Sequence, residues 1–289
     1  MVVWCWVAGL VIWIAEVDHG YQLKSSQVSV LALLLILGDW SCPILKPGGT
    51  LSSFIRPQLD SPIGRFSLDF MLLANYTYLG VSLVLSNDMR EFIWYAILGI
   101  PFANYSDEFI LENKDGTLRI RGQGGILIML CSFATNNTVA TLLDFGNFIF
   151  NDVYPNGSTK RALWQSFDHL VDMLIPGMKL GVNHKTGQNW SLTARLTSNI
   201  LNSRAFTLEW DPNGLLELFI KHRGVVHWKC GVLYDFNFSL MYKTQSLPQT
   251  WVLTPMGKLV ENSLNETVLT ARVNKCYGYD INGGCQRWN

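Results

Sequence analysis

Apolar and polar residues alternate along much of the chain, and the alternation restarts after glycines. Gly64 precedes RFSLDF, which sets Phe66, Leu68 and Phe70 on one face. Gly116 precedes TLRI, Gly146 precedes NFIF, Gly214 precedes LLELFI and Gly257 precedes KLV. A period of two is the signal of a half-buried strand. An Asp or Asn stands within three residues before Gly116, Gly146 and Gly214. Short polar side chains bond locally to the backbone and glycine supplies positive φ, so each cluster turns the chain into the next strand. The recurrence predicts repeated short hairpins. Apolar residues at helical spacing are scarce, so the expected fold is all-β, with several small sheets sharing a core. The polar stretch Asn151 to Arg161 (NDVYPNGSTKR) holds Pro155 and Gly157 and reads as a domain boundary.

The first 42 residues follow another pattern. Met1 to Ala15 is apolar, and a second apolar run, Val28 to Gly38 (VSVLALLLILG), follows Lys24. A charge, an apolar run and small residues beyond it make a secretory signal, and residues 1–42 are expected to be a leader. A membrane anchor is the alternative. Seven Asn-x-Ser/Thr sites without a central Pro support passage through the secretory route: Asn75, Asn104, Asn136, Asn156, Asn189, Asn237 and Asn265. The expected location is secreted, or on the outer face of the plasma membrane.

Composition narrows the function classes. The 289 residues carry 22 basic and 22 acidic side chains, a formal net charge of zero. No positive excess exists to hold a polyanion, so no nucleic-acid partner is expected. Charged residues are only 15 %, while hydrophobic ones reach 49 % and aromatics 12 %, a composition that excludes disorder. Asp144-Phe145-Gly146 spells the metal-binding triplet of protein kinases, but no HRD loop occurs anywhere and a strand turn accounts for it. His222 and His227 flank Gly224 and read as a hairpin pair rather than a metal site. No GxSxG elbow, P-loop or HExxH is present. The expectation is no enzyme, no catalytic residue, no metal and no cofactor.

Leu163 to Gly181 reads LWQSFDHLVDMLIPGMKLG. This stretch closely resembles the LWQSFD…D…LLPGMKLG signature of plant S-locus glycoproteins and G-type lectin S-receptor-like kinases. Tyr78-Leu79-Gly80, Asp115-Gly116, Ala140 to Phe150 (ATLLDFGNFIF), Asp211 to Gly214 with Glu217-Leu218-Phe219, and Cys276 through Cys285 resemble further motifs of the family in the same order. The resemblance implies a bulb-type lectin β-prism over residues 43–155, a second lectin-like S-locus domain over 156–275, and the start of a cysteine-rich module at 276–289. It implies an ectodomain that stops before the PAN and kinase parts of full-length relatives. Trp94, Ala96 and Pro101 match the family's VWVANRD-P pattern, with Ile97-Leu98-Gly99 replacing Asn-Arg-Asp.

The resemblance also brings a sugar site. Bulb-type lectins hold mannose with a strand pattern Q-x-D-x-N-x-V-x-Y, whose polar side chains bond adjacent hydroxyls. One alignment places Leu143, Phe145, Asn147, Ile149 and Asn151 there, and keeps Asn147. Another places Asn113, Asp115, Thr117, Arg119 and Arg121, and keeps Asp115 with Asn113 and Thr117 as polar substitutes. The carbohydrate candidates are therefore Asn113, Asp115, Thr117 and Asn147, in a site missing most of its pattern. Cys276 and Cys285 are the disulfide candidates, because they match family cysteines; Cys131 follows an apolar strand and reads as a buried thiol. Three functions stay open: a lectin-like recognition protein, the ectodomain of a signalling receptor kinase, and a paralogue that has lost its ligand. The expected partners are mannose-type glycans or a cell-surface protein ligand, with a homodimer or a receptor partner left open.

Overall fold

The computed structural model describes residues 44–54, 58–73, 76–85, 90–96, 102–103, 109–122, 127–197, 206–211, 217–229 and 250–261. Residues 1–42, Ile97 to Gly99, Asn75, Asn104, Asn237, Asn265, Cys230, Cys276 and Cys285 lie outside the described residues.

Twenty-two strands and one 3-10 turn, Ser166–Asp168, make up the described chain, with no α-helix among them. Three antiparallel sheets build the first region. One contains Leu59–Asp60, Phe66–Leu73, Tyr76–Val84, Arg90–Tyr95 and Phe102–Ala103. A second contains Thr50–Ser52, Phe109–Lys114, Thr117–Gly122 and Leu127–Ser132. The third runs Ile44–Leu45, Thr138–Leu142, Phe148–Val153 and Thr159–Gln165. The alternation explains how they meet. Val139 and Thr141 face away while Thr138, Ala140 and Leu142 face in, and Phe148 and Phe150 do the same in the next strand. Apolar residues from all three sheets form one buried cluster. This is the three-sheet arrangement of a bulb-type lectin β-prism.

Two glycines are required where they stand. Lys114 pairs with Thr117, so Asp115-Gly116 is a two-residue hairpin turn, with φ of 52° and 69°. Both angles are positive, as a type I′ turn demands. A Cβ on Gly116 would also run into the carbonyls of Phe133 and Thr135. Gly80 sits mid-strand, and its missing side chain is the space taken by the Phe92 ring.

The stretch Asn151 to Arg161 is not a linker. It is a hairpin inside the third sheet, closed by Tyr154 N–H to Ser158 O at 2.9 Å and Gly157 N–H to Tyr154 O at 2.8 Å. Its return strand pairs Trp164 with Phe150 and Gln165 with Ile149. Polar residues and a Pro-Gly turn signal a hairpin as readily as a boundary, because both need exposed backbone.

A second buried cluster begins only after the LWQSFD turn. Leu170, Leu174, Leu192, Ala194, Leu208, Leu218, Ile220 and Leu253 form it. Three smaller sheets surround it: Met173–Leu174 with Trp251–Leu253 and Leu259–Glu261; Gly181–Asn183 with Gln188–Trp190; and Leu192–Thr193, Phe206–Trp210, Leu218–His222 and Val225–Lys229. His222 and His227 face each other across the Arg223-Gly224 turn, with His222 stacked on Phe206 at 4.5 Å.

Candidate functional site

The carbohydrate candidates fall in two places. Asn113, Asp115 and Thr117 lie on one hairpin of the second sheet, and Asn147 leads into a strand of the third. Asn113 is completely buried. Its Nδ2 donates to Leu45 O at 3.1 Å and to Thr138 O at 2.8 Å. Its Oδ1 accepts from the Thr138 hydroxyl at 2.7 Å. The carboxamide thereby ties the second sheet to two strands of the third, and all its hydrogen-bonding sides point into protein. Asp115 is an exposed turn residue. Thr117 is half-buried, and its hydroxyl bonds that of Ser132 at 3.1 Å.

Asn147 is also buried. Its Nδ2 donates to Gln165 Oε1 at 2.9 Å, and its Oδ1 accepts from the Ser166 hydroxyl at 3.2 Å and Phe167 N–H at 3.3 Å. Ser166 Oγ in turn accepts Phe148 N–H at 3.0 Å. This one asparagine organises the 3-10 turn of the LWQSFD signature. Phe167 is buried in the first core, and Trp164 packs on that core from a half-buried position. The Trp164 ring meets Trp94 and Phe148 edge-on and lies flat on His169, with centroids 5.2 Å apart.

The same signature ties the two regions together. Gln165 Nε2 donates to one oxygen of Asp168 and Trp190 Nε1 to the other, at 2.9 and 3.0 Å. Trp94 Nε1 donates to His169 O at 2.9 Å. Three residues after His169, Asp172 pairs with Arg195 at 2.5 Å, its side chain wholly buried. Burial pushes the Asp172 carboxyl above the usual carboxylate range, and the Arg195 guanidinium opposes that rise. Burial also pushes the hydroxyl of Tyr95 well up, with Asp172 adding to it.

Beside this junction lies a cleft of about 470 Å³, lined by residues that include Trp164, Asp168, His169, Met129, Asn189 and Ser191. Its size falls in the range of about 300–1,000 Å³ usual for small-ligand sites. His169 is exposed, and desolvation of its ring lowers its pKa despite the neighbouring Asp168 carboxylate. Four separate segments converge here, and although three of them carry motifs, no spacing rule brings the four together, so sequence reading missed the cleft. Of the glycosylation asparagines within the described residues, Asn136, Asn156 and Asn189 are all exposed. Asn156 caps its own hairpin, its Oδ1 accepting from Ser158 N–H at 3.0 Å and the Ser158 hydroxyl at 2.7 Å. Among the described residues, no group of His, Cys, Asp and Glu could hold a metal ion. No helix of the described residues is long and apolar enough to cross a membrane.

Residues 91–196 match the family described as D-mannose binding lectin. The chain is 36 % identical, over 63 % of its length, to a G-type lectin S-receptor-like serine/threonine-protein kinase of Arabidopsis thaliana, of which it covers 22 %. A second kinase of that description from the same plant is 34 % identical over 73 % of the chain, which covers 27 % of it. An S-locus-specific glycoprotein of Brassica oleracea is 31 % identical over 80 % of the chain, which covers 53 % of it. The chain thus spans between about a fifth and about half of the length of these relatives. With the β-prism and the LWQSFD signature in place, the chain is similar over most of its length to the S-locus glycoproteins and the G-type lectin S-receptor-like kinases, and its residues 91–196 match their bulb-type lectin domain.

Proposed function

We propose that the chain is a recognition module without catalysis, secreted or held at the outer face of the plasma membrane, whose inherited mannose strands bind sugar weakly or not at all. One observation carries this reading: Asn113 and Asn147, the amides that the mannose pattern would turn toward a ligand, are buried and spend their hydrogen bonds inside the protein. Asp115 and Thr117 are left, and Thr117 already shares its hydroxyl with Ser132. A hydrogen bond contributes about 0.5–1.5 kcal/mol net, while even millimolar affinity needs about 4 kcal/mol. Two side chains do not reach that sum. Titration calorimetry with mannose and an oligomannose glycan tests the reading, with no heat expected below millimolar concentration. Sub-millimolar binding lost in Asp115→Ala would overturn it.

A second reading is the ectodomain of a receptor-like kinase, supported by relatives of that description, of which the chain covers about a quarter. A transcript continuing past Asn289 into a membrane span and a kinase would favour it. The partner in either case is a cell-surface protein ligand or a glycan chosen by surfaces other than these strands.

A further inference from the structure

We propose that the cleft at the junction of the two regions is a saccharide-binding site occupied by the glycan carried on Asn189 itself. The proposal rests on the secretory reading above and deepens it. Asn189 opens the sequon Asn189-Trp190-Ser191, is exposed, and lines the cleft. Asn136 and Asn156 do not line it.

The walls fit a pyranose. Sugars present an apolar C–H face and a rim of hydroxyls, so their sites pair an aromatic platform with fixed polar acceptors. His169 lies flat on Trp164 and is exposed, a supported aromatic surface. Asp168 is held by Gln165 and Trp190, one to each carboxylate oxygen, and each oxygen keeps lone-pair capacity for a hydroxyl. Ser191 adds a hydroxyl from the sequon itself. Met129, 61 % exposed, supplies an apolar wall against which the acetamido methyl of an N-acetylhexosamine packs. The first sugars of an N-glycan are N-acetylhexosamines, and their attachment at the lip removes the translational cost of binding, so weak contacts suffice. Covered in this way, the cleft is closed by the chain's own sugar, and the seam between the two regions is shielded.

The test uses the full chain expressed in plant cells with oligomannose glycans and digested natively with an endoglycosidase. Glycopeptide mass spectrometry follows each site. Release at Asn189 should be at least about tenfold slower than at Asn156, the protection expected of a structured environment. The exposed His169→Ala and Met129→Ser variants should bring the Asn189 rate toward that of Asn156 without changing the latter. Unfolding the protein first should erase the difference. Glycans on Asn136 and Asn156 with an unoccupied Asn189 would sink the proposal and leave secretion standing. No glycan at any sequon would sink the secretory reading too. Equal native rates at Asn189 and Asn156 would show a sugar that ignores the cleft. Binding of free N-acetylhexosamine by Asn189→Gln, with equal native rates in the parent chain, would assign the cleft to an external saccharide instead.

Discussion

The two regions use their aromatic residues in opposite ways. In the first, Phe66, Phe148, Phe150 and Trp94 lie inside the core, each no more than 2 % exposed. In the second, the buried cluster is aliphatic, and Trp190, Trp210, Trp228 and Trp251 stand half-buried around it. Three sheets facing one another leave a wide interior that only large side chains fill at close-packed density. Small sheets wrapped round a narrow interior leave no such room, so their tryptophans become a shell. The shell still satisfies its polar edges where geometry allows: Trp210 Nε1 donates to Leu180 O at 2.8 Å. Burial depth, more than residue type, decides what each tryptophan contributes.

Trp94→Ala should break the first region, costing about 3–5 kcal/mol by the cavity it leaves and by the lost bond to His169 O. Trp210→Ala, in the shell, should cost roughly half of that, because its surroundings relax and water enters. Chemical denaturation of both variants checks the pair, and equal losses would erase the contrast between core and shell.

Arg195→Met acts at the seam and should be nearly as damaging as Trp94→Ala, since it strands the buried Asp172 charge at a cost of about 3–5 kcal/mol. Its defect should depend on pH in a definite sense. Burial already raises the Asp172 carboxyl, and losing the guanidinium raises it further. A carboxyl with a raised folded pKa favours folding when protonated and disfavours it as pH climbs from the unfolded value of about 4 toward the folded one. The melting temperature of the variant should therefore come nearest the parent's at the acidic end and diverge above it.

Asn147→Ala should cost about 1–3 kcal/mol, because Gln165 loses a donor and Phe167 N–H is left unpaired inside the protein. Thermal melts give this value directly; a neutral result would deny the asparagine its role in the signature turn. The smallest effect concerns Cys131, half-buried against the first core. Burial pushes its thiol up to about 12. Alkylation of the Cys131 peptide at pH 8 should run at least about a hundredfold slower than that of a free peptide thiol, with no effect on stability.

The strands were legible because they depend on local signals. Gly64, Gly116 and Gly146 each precede an observed strand, and Phe66 and Leu68 face the core as the alternation requires. The hairpin at Asn151 to Arg161 was misread because turn chemistry states where the chain reverses, not which sheet it returns to. Asn113 shows a deeper limit. Its partners, Leu45 and Thr138, lie 68 and 25 residues away, and no spacing rule reports a bond between sheets. An asparagine beside a turn looks the same in sequence whether it greets a sugar or fastens two sheets.

The hairpin that closes the third sheet has a practical consequence for anyone preparing the lectin domain alone. A fragment ended at residue 155 would forfeit the strand Thr159–Gln165 and bare the full length of Phe148–Val153 as an unprotected edge. Such edges recruit one another, so the fragment would precipitate or swap strands between copies. Extending it through Ile175 keeps the edge covered and retains Phe167, Val171, Met173 and Ile175, which fill the first core from beyond the hairpin.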